Sequence, residues 1–504
     1  MLLITQDYII AGATSLALVI LYFRHSKTRH SNSSLPLPPG PPRWPLIGSL
    51  LSLPPSSEPN WVWFSRWGKN MASDVIYFQV LGANTVVLNS REAASALLDH
   101  RSNIYSDRPH MVMANELVGW DRMLGMANYS GGAKVMRRYL QGSVNNRTMS
   151  DWHPQQEQEA LRFLRKLLHS PEKLMSHIRH AAGATVARLT YGYTPKEEGD
   201  EYISIAERAM DNFALATTPG LFIVDIFPLL KYIPWAPFKR TASEWRSELS
   251  ELIDTPMTFS RGLAEPSFAS KWLGELRYES QKAHIPVAAA SLYAGGADTT
   301  VSAISTFFVA MLHYSEVQKL AQKEIDAVIG KDRLPTLADR DLLPYVEALY
   351  KEVLRWQPLG PIGIPHRLGS DIDDEYKGMR IPANAMVIAN IWNMVRDPAV
   401  YHDPETFNPS RYLGPESESN PEDVVFGFGR RRCPGINVAR SSVWFSIALT
   451  LAAYDVTPSI GDDGNPILPA LEYSNATIRH PKPFQCTITP RSEKLKTIIE
   501  TMSL

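Results

Sequence analysis

The sequence predicts a mainly α-helical fold with a minor β part, in a single large domain. From Gln155 onward, long stretches repeat apolar residues at helical spacing, with short loops between them. Strand-like alternation is confined to a few segments, among them "DVIYFQVLGANTVVLNS" at residues 74–90, which predicts a hairpin. No linker divides this region, and a domain of about 450 residues is larger than usual. A bulky cofactor in the core would help to explain that size.

The composition of the 504-residue chain excludes some classes of protein. Its formal net charge of −1 provides no bulk attraction for nucleic acid, so no nucleic-acid partner is expected. Its two cysteines, Cys433 and Cys486, do not make a disulfide framework, and the folded part is expected in a reducing compartment.

Residues 1–23 are predicted to form a transmembrane anchor in contact with membrane lipid. Tyr8 to Phe23 carries no charge, and basic residues follow at Arg24, Lys27 and Arg29. A cleaved signal peptide would carry its positive charges before the apolar run. Charges placed after it leave the rest of the chain in the cytosol. The alternative is a buried core helix, but a terminal apolar run beside a basic cluster is hard to bury.

Residues 24–51 are predicted to be a basic and proline-rich hinge between the anchor and the folded domain, residues 52–504. Six prolines lie within Pro36 to Pro45, and proline at this density gives a stiff extended segment. Such a segment sets the distance and orientation of the domain relative to the bilayer. Trp44, Leu46 and Ile47 are expected to pack onto the domain, which argues against a disordered linker.

The stretch "FGFGRRRCPG", residues 426–435, places a cysteine in a cationic, glycine-rich loop. An apolar-rich helix is predicted from Pro434 to about Tyr454, so Cys433 lies at a helix N-terminus, which favours an anion. Together with the arginines at 430–432, this position should lower the pKa of the thiol and make it a thiolate. Glycines at 427, 429 and 435 leave room for a flat group to approach the backbone.

A thiolate on such a loop fits the single axial ligand of haem iron. Zinc would require further Cys or His ligands at a suitable spacing. A nucleophilic cysteine would need a base, and no Cys/His signature is present. A structural buried cysteine does not favour three neighbouring arginines.

The pattern of Phe426, Gly429, Arg431, Cys433 and Gly435 resembles the haem-binding loop of the cytochrome P-450 family. The resemblance covers essentially the whole chain and implies the cytochrome P-450 fold, with residues 52–504 as the catalytic domain and haem b (iron protoporphyrin IX) as the cofactor. It further implies that Cys433 ligates the iron, that Arg431 contacts a haem propionate, and that Phe426 packs beside the sulfur.

Two further segments match the family. The helical pair Glu352 and Arg355, with Arg411, would form its buried charge cluster, and removing one partner should cost several kcal/mol. "AGGADTT", residues 294–300, puts poor helix formers into an apolar helix. A solvent-facing polar patch is the alternative for this segment. In the family, the acid–alcohol pair, here Asp298 and Thr299, supplies the protons that dioxygen activation needs. Glycines 295 and 296 would let a ligand approach the helix.

One segment departs from the family. The propionate-binding helix commonly reads Trp-x-x-x-Arg, whereas "YSGGAKVMRRYL" has Ala133 in place of the tryptophan and keeps Arg137. Loss of an indole N–H removes about 0.5–1.5 kcal/mol of hydrogen bonding, so haem retention is expected to weaken. His366, in "GIPHRL", follows another propionate-contacting position of the family.

By resemblance, the protein is a monooxygenase that hydroxylates a lipophilic small molecule with O2 and electrons from an NADPH-cytochrome reductase. It looks like fungal members of specialised metabolism, with a terpenoid-like substrate, on the endoplasmic reticulum membrane with a cytosolic catalytic domain. The substrate walls are expected to include Met111, Met113, Phe222 and Phe227, and the segment near residues 471–477. Two alternatives remain open, a haem-thiolate isomerase or dehydratase acting on a hydroperoxide, and a non-catalytic haem-binding or gas-sensing protein.

Overall fold

The computed structural model describes residues 34–55, 57–218, 220–260, 266–276 and 278–502. The predicted membrane anchor, residues 1–23, and the first part of the predicted hinge, residues 24–33, lie outside these described residues.

Helices form most of the regular structure, as the sequence predicts. They are α1 (Asn60–Asn70), α2 (Arg91–Ala94), α3 (Gly131–Ser143), α4 (His153–His169), α5 (Leu174–Tyr191), α6 (Glu201–Ala216), α7 (Ile223–Ile226), α8 (Pro237–Ser260), α9 (Phe268–Glu275), α10 (Glu279–Lys282), α11 (Ile285–His313), α12 (Ser315–Val328), α13 (Pro344–Trp356), α14 (Ile391–Met394), α15 (Glu422–Val425), α16 (Ile436–Ala453) and α17 (Glu493–Thr501). Helix α16 begins after the cysteine loop and ends one residue before Tyr454, close to the predicted bounds.

Within the described residues, the minor β part forms three small sheets. The strands are β1 (Val75–Val80), β2 (Ala83–Leu88), β3 (His366–Arg367), β4 (Asp374–Tyr376), β5 (Met379–Ile381), β6 (Met386–Ala389), β7 (Tyr454–Ile460), β8 (Pro466–Ile467) and β9 (Cys486–Pro490). The largest sheet has the order β1-β2-β6-β3, and the other two pair β4 with β5 and β8-β7-β9. Strands β1 and β2 are the predicted hairpin, and Val80 pairs with Ala83 across a two-residue turn. Both turn residues, Leu81 and Gly82, have positive φ.

Helix α11 runs through the core and packs against α5 and α16. It remains continuous α-helix through "AGGADTT", although that segment has low helix propensity. Tertiary packing overrides propensity here, because the helix is apolar on most of its circumference and its residues belong to two large hydrophobic clusters. Gly296 contributes to this packing, since a Cβ there would lie 3.1 Å from the Val186 side chain of α5.

The described part of the proline-rich segment is attached to the sheets. The Pro39 carbonyl accepts from the Tyr77 amide at 2.9 Å, and the Pro36 carbonyl accepts from Arg380 at 2.7 Å. Backbone hydrogen bonds therefore hold it, as expected for a segment that is not a free linker. The expectation that Trp44 and Leu46 pack onto the domain is wrong, because the two side chains are 55% and 49% exposed.

Two helices of the described part are long and apolar enough to span a bilayer, Glu279–His313 and Ile436–Ala453. Both are mostly buried inside the protein. Their hydrophobicity is therefore accounted for by the core.

Glu352, Arg355 and Arg411 form the predicted buried cluster between α13 and the 409–412 turn. Both Glu352 and Arg355 are completely buried, and two hydrogen bonds of 2.8 Å join them. Arg411 donates to the same carboxylate at 3.2 Å, and the Tyr412 hydroxyl donates at 3.1 Å. The carboxylate also accepts from the Asn408 amide at 2.8 Å. Each charge is thus compensated, as burial requires.

We expect Arg355→Met to lower the free energy of unfolding by about 3–5 kcal/mol, because it leaves part of the Glu352 charge uncompensated in the core. Urea unfolding followed by tryptophan fluorescence measures the change. Arg240→Met is the matched control, since Arg240 pairs with Glu244 on an exposed helix face and should contribute little. Equal unfolding midpoints for the two variants would contradict the assignment.

Candidate active site

The cysteine loop closes on itself just before α16. The Cys433 amide donates to the Phe426 carbonyl at 2.8 Å, so the two ends of the loop are fixed relative to each other. The Cys433 side chain is accessible although it lies deep in the protein. Its sulfur therefore borders an internal space rather than bulk solvent. Gly435, the residue before α16, lies next to that sulfur.

Two glycines of the cysteine loop are required by its backbone conformation rather than by a need for open space. Gly427 and Gly429 have φ of +75° and +51°, in the left-handed region that favours glycine. A Cβ on Gly429 would lie 2.1 Å from the Leu98 carbonyl oxygen, so this position also requires a close approach of two backbones. The expectation that the glycines at 427, 429 and 435 leave room for a flat group is therefore wrong for Gly429.

The predicted lowering of the pKa of the Cys433 thiol by the helix N-terminus and the arginines is opposed by burial. Burial raises the pKa of this thiol, and the effect outweighs the Gly435 amide and the charges of Arg137 and Arg432. A metal cation at the sulfur would deprotonate it directly.

Three arginines form an uncompensated cationic cluster near the loop. Arg108 is buried and donates to the Gly125, Ile364 and Pro365 carbonyls at 2.7–2.9 Å. Arg137 donates to the Arg432 carbonyl, and Arg431 donates to the Ser106 carbonyl, each at 2.6 Å. No ion pair links these three arginines to a carboxylate among the described residues.

Burial dominates the electrostatics of the cluster, and repulsion between its arginines adds to it. Burial lowers the pKa of Arg431 to about 10, and Arg137 adds to that effect while Asp107 opposes it. Burial also holds the pKa of Arg108 well below its usual range, and Arg431 and Arg137 lower it further. A bound anion would relieve both effects.

His366 lies at the same cluster. Its Nδ1 is 2.8 Å from the Tyr105 carbonyl oxygen, so the ring donates there. Burial, with the charge of Arg108, lowers the pKa of His366 to about 3, which makes it neutral in this environment. A neutral ring with its proton on Nδ1 has only a lone pair on Nε2, so His366 must bind a second proton before it can donate to a carboxylate.

On α11, Gly295 and Thr299 lie on a face of the helix that is accessible, although the helix runs through the core. Gly295 is accessible although Ala294 beside it is buried, and a Cβ there would meet nothing within 4 Å. The Thr299 hydroxyl donates to the Gly295 carbonyl at 2.7 Å. Of the two predicted glycines, only Gly295 thus borders an open space.

Asp298 and Thr299 do not contact each other through their side chains in any hydrogen bond of the described part. Asp298 instead faces His480, whose Nε2 lies 3.1 Å from the carboxylate. The two adjacent residues of the predicted pair are therefore aimed to different sides of the helix, as a helical step of about 100° requires.

Asp298 and His480 border a cleft of about 410 Å³ between α5, α6, α11 and the segment 474–480. Its apolar walls include Met210, Phe213 and Val301. The segment 474–480 overlaps the predicted substrate wall near residues 471–477. Phe227 does not match the prediction, because its side chain is 53% exposed.

These features fit haem b. Two propionates would neutralise the arginine cluster, and the sulfur of Cys433 is a suitable soft ligand for iron. The open face at Gly295 provides room for a ligand beside α11.

Comparison with known proteins gives the same family. The family model for cytochrome P450 matches residues 38–488. Cytochrome P450 monooxygenase 208 of Postia placenta is 41% identical, over 97% of both chains. Cytochrome P450 monooxygenase claR of Ampulloclitocybe clavipes is 39% identical, over 99% of this chain and 94% of the relative. Tryptamine 4-monooxygenase of Psilocybe cyanescens is 36% identical, over 98% of this chain and 99% of the relative.

A zebra fish cytochrome P450 solved with abiraterone shares the fold, with a TM-score of 0.70 and 23% identity, over 86% of this chain and all of that structure. The chain therefore belongs to the cytochrome P450 family, whose members bind haem b through a cysteine thiolate. It is an oxidoreductase of the haem-thiolate monooxygenase type.

Sequence reasoning missed two residues of this region, Arg108 and His480. Arg108 stands in "SDRPH", where only its lack of a nearby carboxylate partner in the fold distinguishes it from a surface arginine. His480 lies 182 residues from Asp298, and no local pattern joins the two.

We expect Gly429→Ala to prevent the loop from closing, because the new Cβ would overlap the Leu98 carbonyl. Gly427→Ala is the matched control in the same loop. It has positive φ but meets only Arg431, at 4.0 Å, and should cost about 1–2 kcal/mol. Thermal unfolding of the two variants compares them, and a Gly429 variant as stable as the Gly427 variant would contradict this geometry.

Proposed function

We propose that this protein is a membrane-attached fungal monooxygenase that hydroxylates a lipophilic small molecule, with Cys433 as the iron ligand. The observation that carries the proposal is that the Cys433 sulfur, accessible from an internal space, lies near three arginines that form no ion pair with a carboxylate of the described residues. Cys486, the other cysteine, lies on strand β9 with no comparable surroundings. We assign the propionate contacts to Arg108, Arg137, Arg431 and His366, with Phe426 fixing the loop.

When bound, haem supplies the iron redox chemistry that activates dioxygen. The residues of the chain control what surrounds that chemistry. The loop backbone holds the Cys433 sulfur in place through the Phe426 carbonyl, and the arginines orient the propionates by charge-assisted hydrogen bonds. Thr299 holds a hydroxyl proton at the open face of α11, and Asp298 is the acid that can replenish it. Apolar walls exclude water from the reacting carbon.

Electrons are supplied by an NADPH-cytochrome reductase in this proposal. Arg138 and Arg430 are exposed beside the cysteine loop and would attract an acidic partner surface. Arg440 is less suited to this contact because it pairs with Glu422 at 2.6 Å.

The substrate is assigned to the open face of α11 at Gly295 and Thr299, which lies on a different side of the helix from the cleft at Asp298. Apolar core residues surround this part of α11, which suits a small lipophilic molecule. A terpenoid-like compound of specialised metabolism is the proposed substrate. One relative is named for a reaction on tryptamine, so indole amines are the competing class.

Membrane attachment is supported by an exposed apolar surface around α7. Six large hydrophobic side chains between residues 221 and 235 are more than half exposed, which is unusual for a soluble surface. They are Leu221, Ile223, Phe227, Leu229, Tyr232 and Trp235. With residues 1–23 as a single-pass anchor and 24–51 as the hinge, this surface would rest on the cytosolic face of the endoplasmic reticulum, and residues 52–504 would form the catalytic domain.

The proposal is tested by co-expression with a fungal NADPH-cytochrome reductase and incubation under ¹⁸O2 with sesquiterpenes, triterpenes and tryptamine. We expect one labelled oxygen in a terpenoid product by mass spectrometry, and no product without NADPH. Cys433→Ser should abolish both product and the carbon monoxide difference band of the reduced, thiolate-ligated haem, whereas Cys486→Ser should keep them. Product formation from a hydroperoxide without a reductant would instead favour the isomerase, and labelled tryptamine alone would replace the terpenoid assignment.

We expect Arg137→Met to lower the haem content of the purified protein and to speed haem loss to apomyoglobin by about tenfold, since a charged hydrogen bond is lost. Arg138→Met is the neighbouring control on the same helix, where the side chain is exposed and should not affect haem loss. Haem loss that is equally fast in both variants would contradict the assignment of the cluster.

A further inference from the structure

His480 supplies the partner of the Asp298 carboxylate from a distant part of the chain. Its Nε2 lies 3.1 Å from each carboxylate oxygen, so one N–H is directed between the two. Both side chains are mostly buried, at 20% and 25% exposure. A charge-assisted hydrogen bond in such a site fixes the orientation of the carboxylate.

The backbone around His480 is held in place on both sides. Its amide donates to the Ser474 hydroxyl at 3.0 Å, and its carbonyl accepts from the Ser474 amide at 2.9 Å. The preceding residue, Arg479, donates its amide to the Leu359 carbonyl at 2.8 Å and accepts from the Ser302 hydroxyl of α11. The ring therefore has a fixed position relative to the helix that carries Asp298.

The other ring nitrogen, Nδ1, is buried and has no hydrogen-bond partner among the described residues. A proton on Nδ1 would be an unsatisfied buried donor, so the arrangement favours the tautomer with its proton on Nε2. That tautomer donates to Asp298, which is the role that the distances indicate.

The cleft connects this pair to solvent through charged residues. Arg179, Glu207 and Asp211 line the same cleft, and Arg179 and Glu207 lie 4.0 Å apart with half-exposed side chains. Water at this rim can reach the carboxylate without crossing the face of α11 that bears Gly295 and Thr299.

We propose that His480 is a positioning residue that holds Asp298 on the cleft side of α11, where water supplies its protons. The assignment rests on the proposed function, in which Asp298 replenishes the Thr299 proton. His480 acts only through Asp298 and does not touch the reacting atoms. Without it, the carboxylate loses its fixed orientation, proton supply becomes irregular, and more reduced dioxygen leaves as hydrogen peroxide.

The test uses full-length holoenzyme with NADPH, a fungal NADPH-cytochrome reductase and dioxygen, without organic substrate. Hydrogen peroxide released per NADPH is measured for the wild type, His480→Phe, His480→Gln, Asp298→Asn and the double variant of His480→Phe with Asp298→Asn. We expect His480→Phe to raise this ratio about threefold or more, as expected for loss of a hydrogen bond to a charged group. His480→Gln keeps an N–H donor of similar reach and should remain within about twofold of the wild type.

Because His480 acts through Asp298, the double variant should release no more peroxide than Asp298→Asn alone. Crystal structures of the His480→Phe and His480→Gln holoenzymes provide a readout independent of turnover. Asp298 should turn away from its cleft-facing position only in the phenylalanine variant. The reduced carbon monoxide band and the unfolding temperature should remain those of the wild type in both.

Three other outcomes would each contradict the role of His480 or that of Asp298. If Asp298→Asn raises peroxide release but His480→Phe does not, His480 has no positioning role and the proposed function stands. If His480→Phe raises it further in the Asp298→Asn background, His480 does not act through Asp298. If Asp298→Asn leaves the ratio unchanged, the role of Asp298 in the proposed function is wrong, and the role of His480 is overturned with it.

Discussion

The buried positive charge of Arg108, Arg137 and Arg431 is the constraint on which the rest of this site depends. Three guanidinium groups donate to backbone carbonyls in a region with few carboxylates, and burial lowers the pKa of each. Such a cluster is costly unless a bound anion compensates it. The carbonyls that it uses come from residues 106–127, 364–365 and 432, so the same charges also join three separate parts of the chain. Cofactor binding and the local fold therefore depend on one electrostatic balance.

The Glu352 cluster also contains buried arginines, but their charges are compensated by carboxylates of the chain. Its arginines are compensated within the chain, by Glu352 and, for Arg411, also by Glu418 at 2.7 Å. The Glu352 cluster has its charges compensated within the chain, as expected for a structural network. The cluster of Arg108, Arg137 and Arg431 has no such ion pairs, as expected for a site that binds an anionic ligand. Residue types alone do not make this distinction, since both clusters consist of arginines in loops and helices.

The cysteine loop shows how far local sequence determines chemistry. Glycines with positive φ and the hydrogen bond from Cys433 to Phe426 belong to a local turn. The protonation of the sulfur does not follow from those residues, because burial depends on everything packed around the loop. The predicted thiolate therefore requires a bound metal to deprotonate the sulfur. The predicted position of the sulfur does not depend on the metal.

The sequence by itself determined the helical class, the hairpin at residues 75–88, the helix after the cysteine and the family, because each depends on periodicity or on short fixed spacings. It also identified Glu352, Arg355 and Arg411. Only the tertiary structure decided that Gly296 packs against a neighbouring helix while Gly295 borders an open space, that Arg108 joins the cationic cluster, and that Asp298 faces His480. These contacts join residues far apart along the chain, and their geometry arises from packing and burial, which no local pattern specifies.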